Sequence, residues 1–113
     1  MQLSENGPKN LKIKAKFIYL ISPNKIYPSF YDDLKAVLKT KKVKYFQLRL
    51  KRTSKNKIIS ISKKVKKICK TFDVKFIVND SPSITKIVDA DGCHLGQNDM
   101  KINKARKILN KKI

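Results

Sequence analysis

Three short blocks in this chain carry side chains able to bind phosphate and metal. They are Gln47-x-Arg49-x-Lys51, Asn79-Asp80 and His94-x-Gly96-Gln97-x-Asp99. A guanidinium grips phosphate oxygens in pairs, and an ammonium group acts on them as a point charge. Carboxylate oxygens suit a hard divalent cation such as magnesium. Asp80 and Asp99 beside Arg49 and Lys51 would therefore make a pyrophosphate site: the carboxylates hold Mg2+, and the basic groups take the remaining phosphate charge.

Each block alone also fits a plainer role. Gln47, Arg49 and Lys51 could be a strand end with solvated charges. Asn79-Asp80 before Ser81-Pro82 fits turn chemistry or a helix cap. A lone His is more often structural than a ligand, and Gly96 suits a sharp turn or the close approach of a ligand. The combination is what points to a site, and the local composition supports it. From Phe76 to Met100 the only lysine is Lys86, in a chain with 28 Lys+Arg against 8 Asp+Glu and a formal net charge of +20. A lysine next to Asp80 and Asp99 would compete with the metal.

The elements that position these blocks follow from hydrophobic spacing. Phe17–Ile21 is a short apolar run closed by Pro23-Asn24, which reads as a buried strand and a loop. Phe30, Leu34, Val37 and Leu38 recur at helical spacing behind Ser29 and Asp32, a capping-box-like start. Val43–Lys51 is the second strand, with Gln47, Arg49 and Lys51 on one face and Phe46, Leu48 and Leu50 on the other. Ile58, Ile61, Val65, Ile68 and Phe72 mark an amphipathic helix with lysines outside, and Cys69 lies on its apolar stripe. Val74–Asn79 is the third strand. Ser81 is positioned as an N-cap before Pro82, and Ile84, Ile87 and Val88 form the inner face of a short helix. Gly92–Gly96 is a fourth strand, and Ile102, Ala105, Ile108 and Leu109 mark a closing helix. Four β–α units of this kind predict an α/β fold with a parallel sheet, whose ligands bind at the carboxyl ends of the strands. All three polar blocks fall at such ends.

The bulk numbers set limits. At 113 residues the chain is one domain or part of one. Its charge fits a phosphate-bearing partner, nucleic acid or small anionic metabolite, and equally fits a lysine-rich compositional habit. The lysines follow the outer helix faces and no nucleic-acid motif is present, which argues against a nucleic-acid module. Two cysteines at unrelated spacing suit a reducing cytoplasm. The longest apolar runs are too short to span a membrane. Residues 1–16 read as a basic N-terminal tail.

The segments FIYLISP, YFQLRLK, FIVND and ADGCHLGQNDM followed by KARKIL together resemble, in order and spacing, the first half of the thiamine-phosphate synthase family, thiazole tautomerase relatives included. The resemblance covers nearly all of residues 17–110. It implies a partial TIM (β/α)8 barrel over residues 17–113, containing the first four units. The activity implied is that of a transferase of thiamine biosynthesis, joining hydroxymethylpyrimidine pyrophosphate to thiazole phosphate with release of pyrophosphate. By the same resemblance Asp80 and Asp99 match magnesium ligands, and Arg49, Lys51 and Asn79 match pyrophosphate-binding residues. Gln47 matches a residue near the pyrimidine, and His94 and Gln97 fall in the fourth-strand block. No catalytic nucleophile is implied. An isomerase of the tautomerase type is the alternative activity.

Two departures stand out. The position after Asn-Asp is often Arg in the family and is Ser81 here. Family members also continue through four more β–α units. Four parallel strands do not close a barrel that needs eight, so completion by a further half-barrel or by self-association is expected, with residues 1–113 inactive alone.

Overall fold

Runs rich in β-branched and aromatic residues form the strands, and amphipathic runs between them form the helices. A computed structural model describes residues 2–4 and 17–96. In chain order the elements are β1 (Gln2–Ser4), β2 (Ile18–Ile21), α1 (Phe30–Leu38), β3 (Val43–Leu48), α2 (Lys55–Thr71), β4 (Lys75–Asn79), α3 (Pro82–Val88) and β5 (Gly92–His94). β2, β3, β4 and β5 pair parallel and in sequence order, with one helix in each crossover. This is the α/β alternation expected from the sequence. The expected closing helix lies outside the described residues, as do Gln97 and Asp99.

One strand was not expected. Gln2–Ser4 falls in the stretch read as a tail, yet it pairs antiparallel with β2 through Gln2↔Ile21, Leu3↔Leu20 and Ser4↔Tyr19. The edge of β2 is therefore not left open. The physical reason is the edge itself, a row of unpaired backbone donors and acceptors that an uncharged segment can satisfy.

Register decides which side chains meet. Leu20 lies level with Phe46 and Phe46 with Phe76, while Leu48 lies level with Val78. These five side chains are each at most 2% exposed and share one face of the sheet. Onto that face α1 lays Phe30, Leu34 and Leu38, α2 lays Ile61, Val65 and Cys69, and α3 lays Ile84 and Val88, whereas Ile87, expected on the same inner face, is 53% exposed. The Phe30 and Phe46 rings approach to 6.3 Å. Tyr19, Ile21, Tyr45, Ile77 and Asn79 alternate with the core positions and stay half-buried on the opposite face.

Serines start two of the helices. Ser54 Oγ accepts the Lys57 N–H at 3.2 Å, and Ser81 Oγ accepts the Ile84 N–H at 3.2 Å ahead of Pro82. The capping box expected at Ser29 and Asp32 does not form. Ser29 makes no side-chain cap bond, and its hydroxyl turns to Asp33 at 3.4 Å, a carboxylate that also accepts the Tyr27 hydroxyl at 2.9 Å. No helix among the described residues is long and apolar enough to cross a membrane.

Cys69 is a core residue, as its place on the helical stripe predicts. Burial, with a smaller contribution from the Asp91 charge, pushes its thiol up to about 12. Cys93 is also buried and its thiol is raised, first by burial. Neither is a thiolate at neutral pH, so neither is a ready nucleophile. Ser62 on α2 is fully buried, and its hydroxyl has no hydrogen-bond partner among the described residues. Ser62→Ala removes a buried unsatisfied group and adds helix propensity, so it should raise stability by about 1 kcal/mol. A higher urea midpoint at unchanged slope is the expected result, and a lower midpoint would show that the hydroxyl is bonded after all.

Candidate functional site

The site is built where β3, β4 and β5 end. Gln47 pairs with Ile77 and Ile77 with Gly92, and two residues further along Asn79 pairs with His94. Registered neighbours point the same way, so Asn79 and His94 share the face away from the helices at the carboxyl ends, and Arg49 follows directly on Leu48, the last paired residue of β3. Arg49 and His94 are exposed and Asn79 is half-buried. The structure thus brings together four of the expected residues: Gln47, Arg49, Asn79 and His94.

Gln47 is only 3% exposed, unusual for an amide on the open face. Its Nε2 donates to the Tyr19 hydroxyl at 2.9 Å, which satisfies the buried group. Tyr19 in turn stacks on Tyr45, with ring centroids 5.6 Å apart and planes 17° from parallel. Phe17 packs against Tyr45 at 5.9 Å. Burial raises the Tyr19 pKa, and the Gln47 hydrogen bond opposes part of that rise. An aromatic wall therefore stands below the polar row, one strand width from Gln47.

β3 is shorter than expected and ends at Leu48, so strand alternation does not by itself orient Arg49 and Lys51. Their backbones are held instead by the loop after β2. Ser22 Oγ accepts the Arg49 N–H at 2.8 Å, and the Asn24 carbonyl accepts the Lys51 N–H at 3.0 Å. Both side chains are exposed. Ser22 was not singled out from the sequence. Its signal is a hydroxyl directly behind an apolar strand, at a position that turns out 4% exposed. Next to this segment an open cleft of about 310 Å³ is lined by Lys25, Ile26, Leu50, Arg52, Ser54 and Lys57. It adds the basic groups of Lys25, Arg52 and Lys57, none of which was singled out from the sequence.

Asp80 ends β4 in the left-handed region, at φ 62°, and its N–H donates to the His94 carbonyl at 2.8 Å. That bond extends the β4–β5 ladder while the bend turns the chain into α3. Asp tolerates this conformation better than most residues, because its short polar side chain bonds locally. The carboxylate is exposed. Ser81 is the α3 N-cap, as its place before Pro82 predicts. No group of three or more His, Cys, Asp or Glu able to hold a metal occurs among the described residues, which leave out Asp99. Asp80 supplies an oxygen donor of the kind magnesium takes, and magnesium commonly needs only one or two carboxylates alongside water. A Cβ added at Gly96 would meet no described atom within 4 Å, and the residue has no left-handed φ.

Asp91 precedes β5 at the opposite end of the sheet. Its Oδ2 accepts the Phe76 N–H at 2.7 Å, and its own N–H donates to the Phe76 carbonyl at 2.9 Å. Part of the Asp-Gly-x-His block is therefore a structural tie between β4 and β5.

Consecutive parallel β–α units with their polar groups gathered at the strand carboxyl ends define part of a (β/α)-barrel domain with its site at that face. Residues 18–113 match the family model described as thiamine monophosphate synthase, and the chain belongs to that family. It is 60% identical over 107 residues to the thiamine-phosphate synthase of Pelagibacter ubique (strain HTCC1062), covering 93% of this chain and 51% of that protein. With the thiamine-phosphate synthase of Fusobacterium nucleatum subsp. nucleatum it shares 45% identity over 104 residues, covering 90% of this chain and 50% of that protein. Among solved structures it is similar to thiamine phosphate pyrophosphorylase from Pyrococcus furiosus, with a TM-score of 0.71 at 27% identity over 81% of this chain and 45% of that one. The chain spans about half the length of the curated relatives it matches.

The left-handed backbone at Asp80 predicts an order of stabilities. Asp80→Ala should be about 1 kcal/mol less stable than Asp80→Gly, because only the alanine brings a Cβ into that region. Urea unfolding of the two variants checks this, and equal midpoints would show that the bend relaxes.

Proposed function

We propose that this chain supplies the amino-terminal half of a thiamine-phosphate synthase, which joins hydroxymethylpyrimidine pyrophosphate to thiazole phosphate and releases pyrophosphate. The observation that carries this reading is that Arg49, Asn79 and His94 lie at the carboxyl ends of three consecutive parallel strands, with Asp80 directly after Asn79 and Lys51 two residues after Arg49. The relatives named above are synthases, which favours this activity over an isomerase or a nucleic-acid module.

In this reading the pyrimidine bears the pyrophosphate as leaving group. Its carbon–oxygen bond breaks with the electron pair going to pyrophosphate, and a carbon–nitrogen bond forms to the thiazole nitrogen. Arg49, Lys51 and the Asn79 amide bind the pyrophosphate oxygens and stabilise charge as it develops there. Gln47, fixed by Tyr19, presents its remaining amide groups to the pyrimidine edge, and the tyrosine wall bounds the ring's place. His94 and Gln97 complete the strand-four side of the substrate pocket. Asp80 and Asp99 would hold Mg2+, which when bound neutralises pyrophosphate charge. No side-chain nucleophile takes part, in keeping with the protonated, buried thiols. Positioning of two substrates then supplies much of the rate.

The remaining phosphate and thiazole contacts come from a second half-barrel, supplied by further chain, by a partner or by self-association. The proposal also places the protein in the cytoplasm, where both free thiols stay reduced.

The test is pyrophosphate release from the two substrates, with the remaining β–α units of the Pelagibacter ubique relative supplied as a separate chain. Turnover should require both chains and Mg2+. Asp80→Asn, which keeps the backbone bend, and Arg49→Ala should each lower kcat/KM by about 100-fold. Full activity in both variants would remove the assignment.

A further inference from the structure

We propose that Ser22 is a positioning residue for Arg49, its hydroxyl standing in for a strand carbonyl where the β2–β3 ladder ends. The inference rests on the reading of Arg49 as a pyrophosphate ligand and extends it to a residue outside the polar blocks.

The ladder itself shows the substitution. In a parallel pair each residue donates its N–H to one partner and accepts at its C=O from the residue two further along that strand. The Ser22 N–H donates to the Gln47 carbonyl at 2.9 Å, which continues the regular pattern beyond Ile21. The next bond in that pattern would run from the Arg49 N–H to the Ser22 carbonyl. It runs instead to Ser22 Oγ, at 2.8 Å. The same hydroxyl donates to the Pro23 carbonyl at 3.0 Å. One side chain thus lets β2 turn away into its loop while β3 is held for one more residue.

That residue is Arg49. Its side chain is exposed and long, with many rotamers to lose on gripping an anion. A fixed Arg49 backbone restricts where the guanidinium can reach from the carboxyl end of β3. Ser22 is 4% exposed, so its hydroxyl makes these bonds out of competition with water, and it does not itself face the ligand. Lys51 is held by the same loop through the Asn24 carbonyl at 3.0 Å, so one segment, 22–24, sets both cations.

The experiment is calorimetric titration of the 113-residue chain, assembled with the remaining β–α units of the Pelagibacter ubique relative, with inorganic pyrophosphate in the presence of Mg2+, in a double-mutant cycle. Ser22→Ala should weaken binding about fivefold, the worth of one hydrogen bond of ordinary strength. Ser22→Thr, which keeps the hydroxyl, should bind like the parent. Arg49→Ala should weaken binding about tenfold, and adding Ser22→Ala to it should weaken binding no further. A general loss of structure would not give this non-additivity. If Ser22→Ala does not fold, Ser22→Cys keeps the volume, replaces the hydroxyl with a weak acceptor, and takes its place in the cycle. Unchanged binding in Ser22→Ala or Ser22→Cys, or the same fivefold loss in the Arg49→Ala background, overturns the proposal for Ser22 alone. Unchanged binding in Arg49→Ala overturns the pyrophosphate reading of Arg49, and the Ser22 proposal with it.

Discussion

The parallel register of β3, β4 and β5 is the constraint on which the rest of this structure depends. Alternation along a strand has a period of two, so the face that takes Phe46, Leu48, Phe76 and Val78 cannot also take Gln47, Ile77, Asn79 or His94. A slip of one residue would send phenylalanines to the open face and push amides under the helices. Both changes are expensive, because apolar area is re-exposed and buried polar groups lose their partners. The packing of α1, α2 and α3 on one side of the sheet therefore fixes the polar row on the other. The energy that stabilises the fold and the geometry that defines the site come from the same pairing.

At the strand ends that simple rule stops and local hydrogen bonds take over. After Leu48 a serine hydroxyl and a loop carbonyl hold the segment that carries Arg49 and Lys51. After Asn79 a left-handed aspartate bends the chain while its N–H stays in the ladder. Ser81 then starts α3 as its cap. Cys69 and Cys93 lie buried, and burial raises both thiols.

Much of this was legible in residue order. The three described parallel crossovers, the apolar stripe of α2 and the gathering of Gln47, Asn79 and His94 at strand ends all follow from hydrophobic spacing, because burial on one face imposes a period that sequence records directly. The Ser81 cap with Pro82 behind it was legible for a similar reason, since the interaction spans three residues. The β1 strand was not, because pairing with β2 joins residues more than a dozen positions apart and leaves no local period. The end of β3 at Leu48 was not either, since the apolar–polar alternation runs on through Lys51 after the pairing has stopped. The expected capping box at Ser29 failed because the carboxylate of Asp33, one residue beyond the expected partner, draws the hydroxyl away.

The sequence by itself determined the α/β alternation, the two faces of the strand that carries Gln47 and the residue types available for anion and metal chemistry. These depend on short-range periodicity and on side-chain chemistry, both of which are local. Only the tertiary structure decided that Asn79 and His94 lie in register, that Tyr19 satisfies Gln47, and that Ser22 holds Arg49. Those facts depend on strand register and on hydrogen bonds between residues as many as 28 positions apart, which no local pattern encodes.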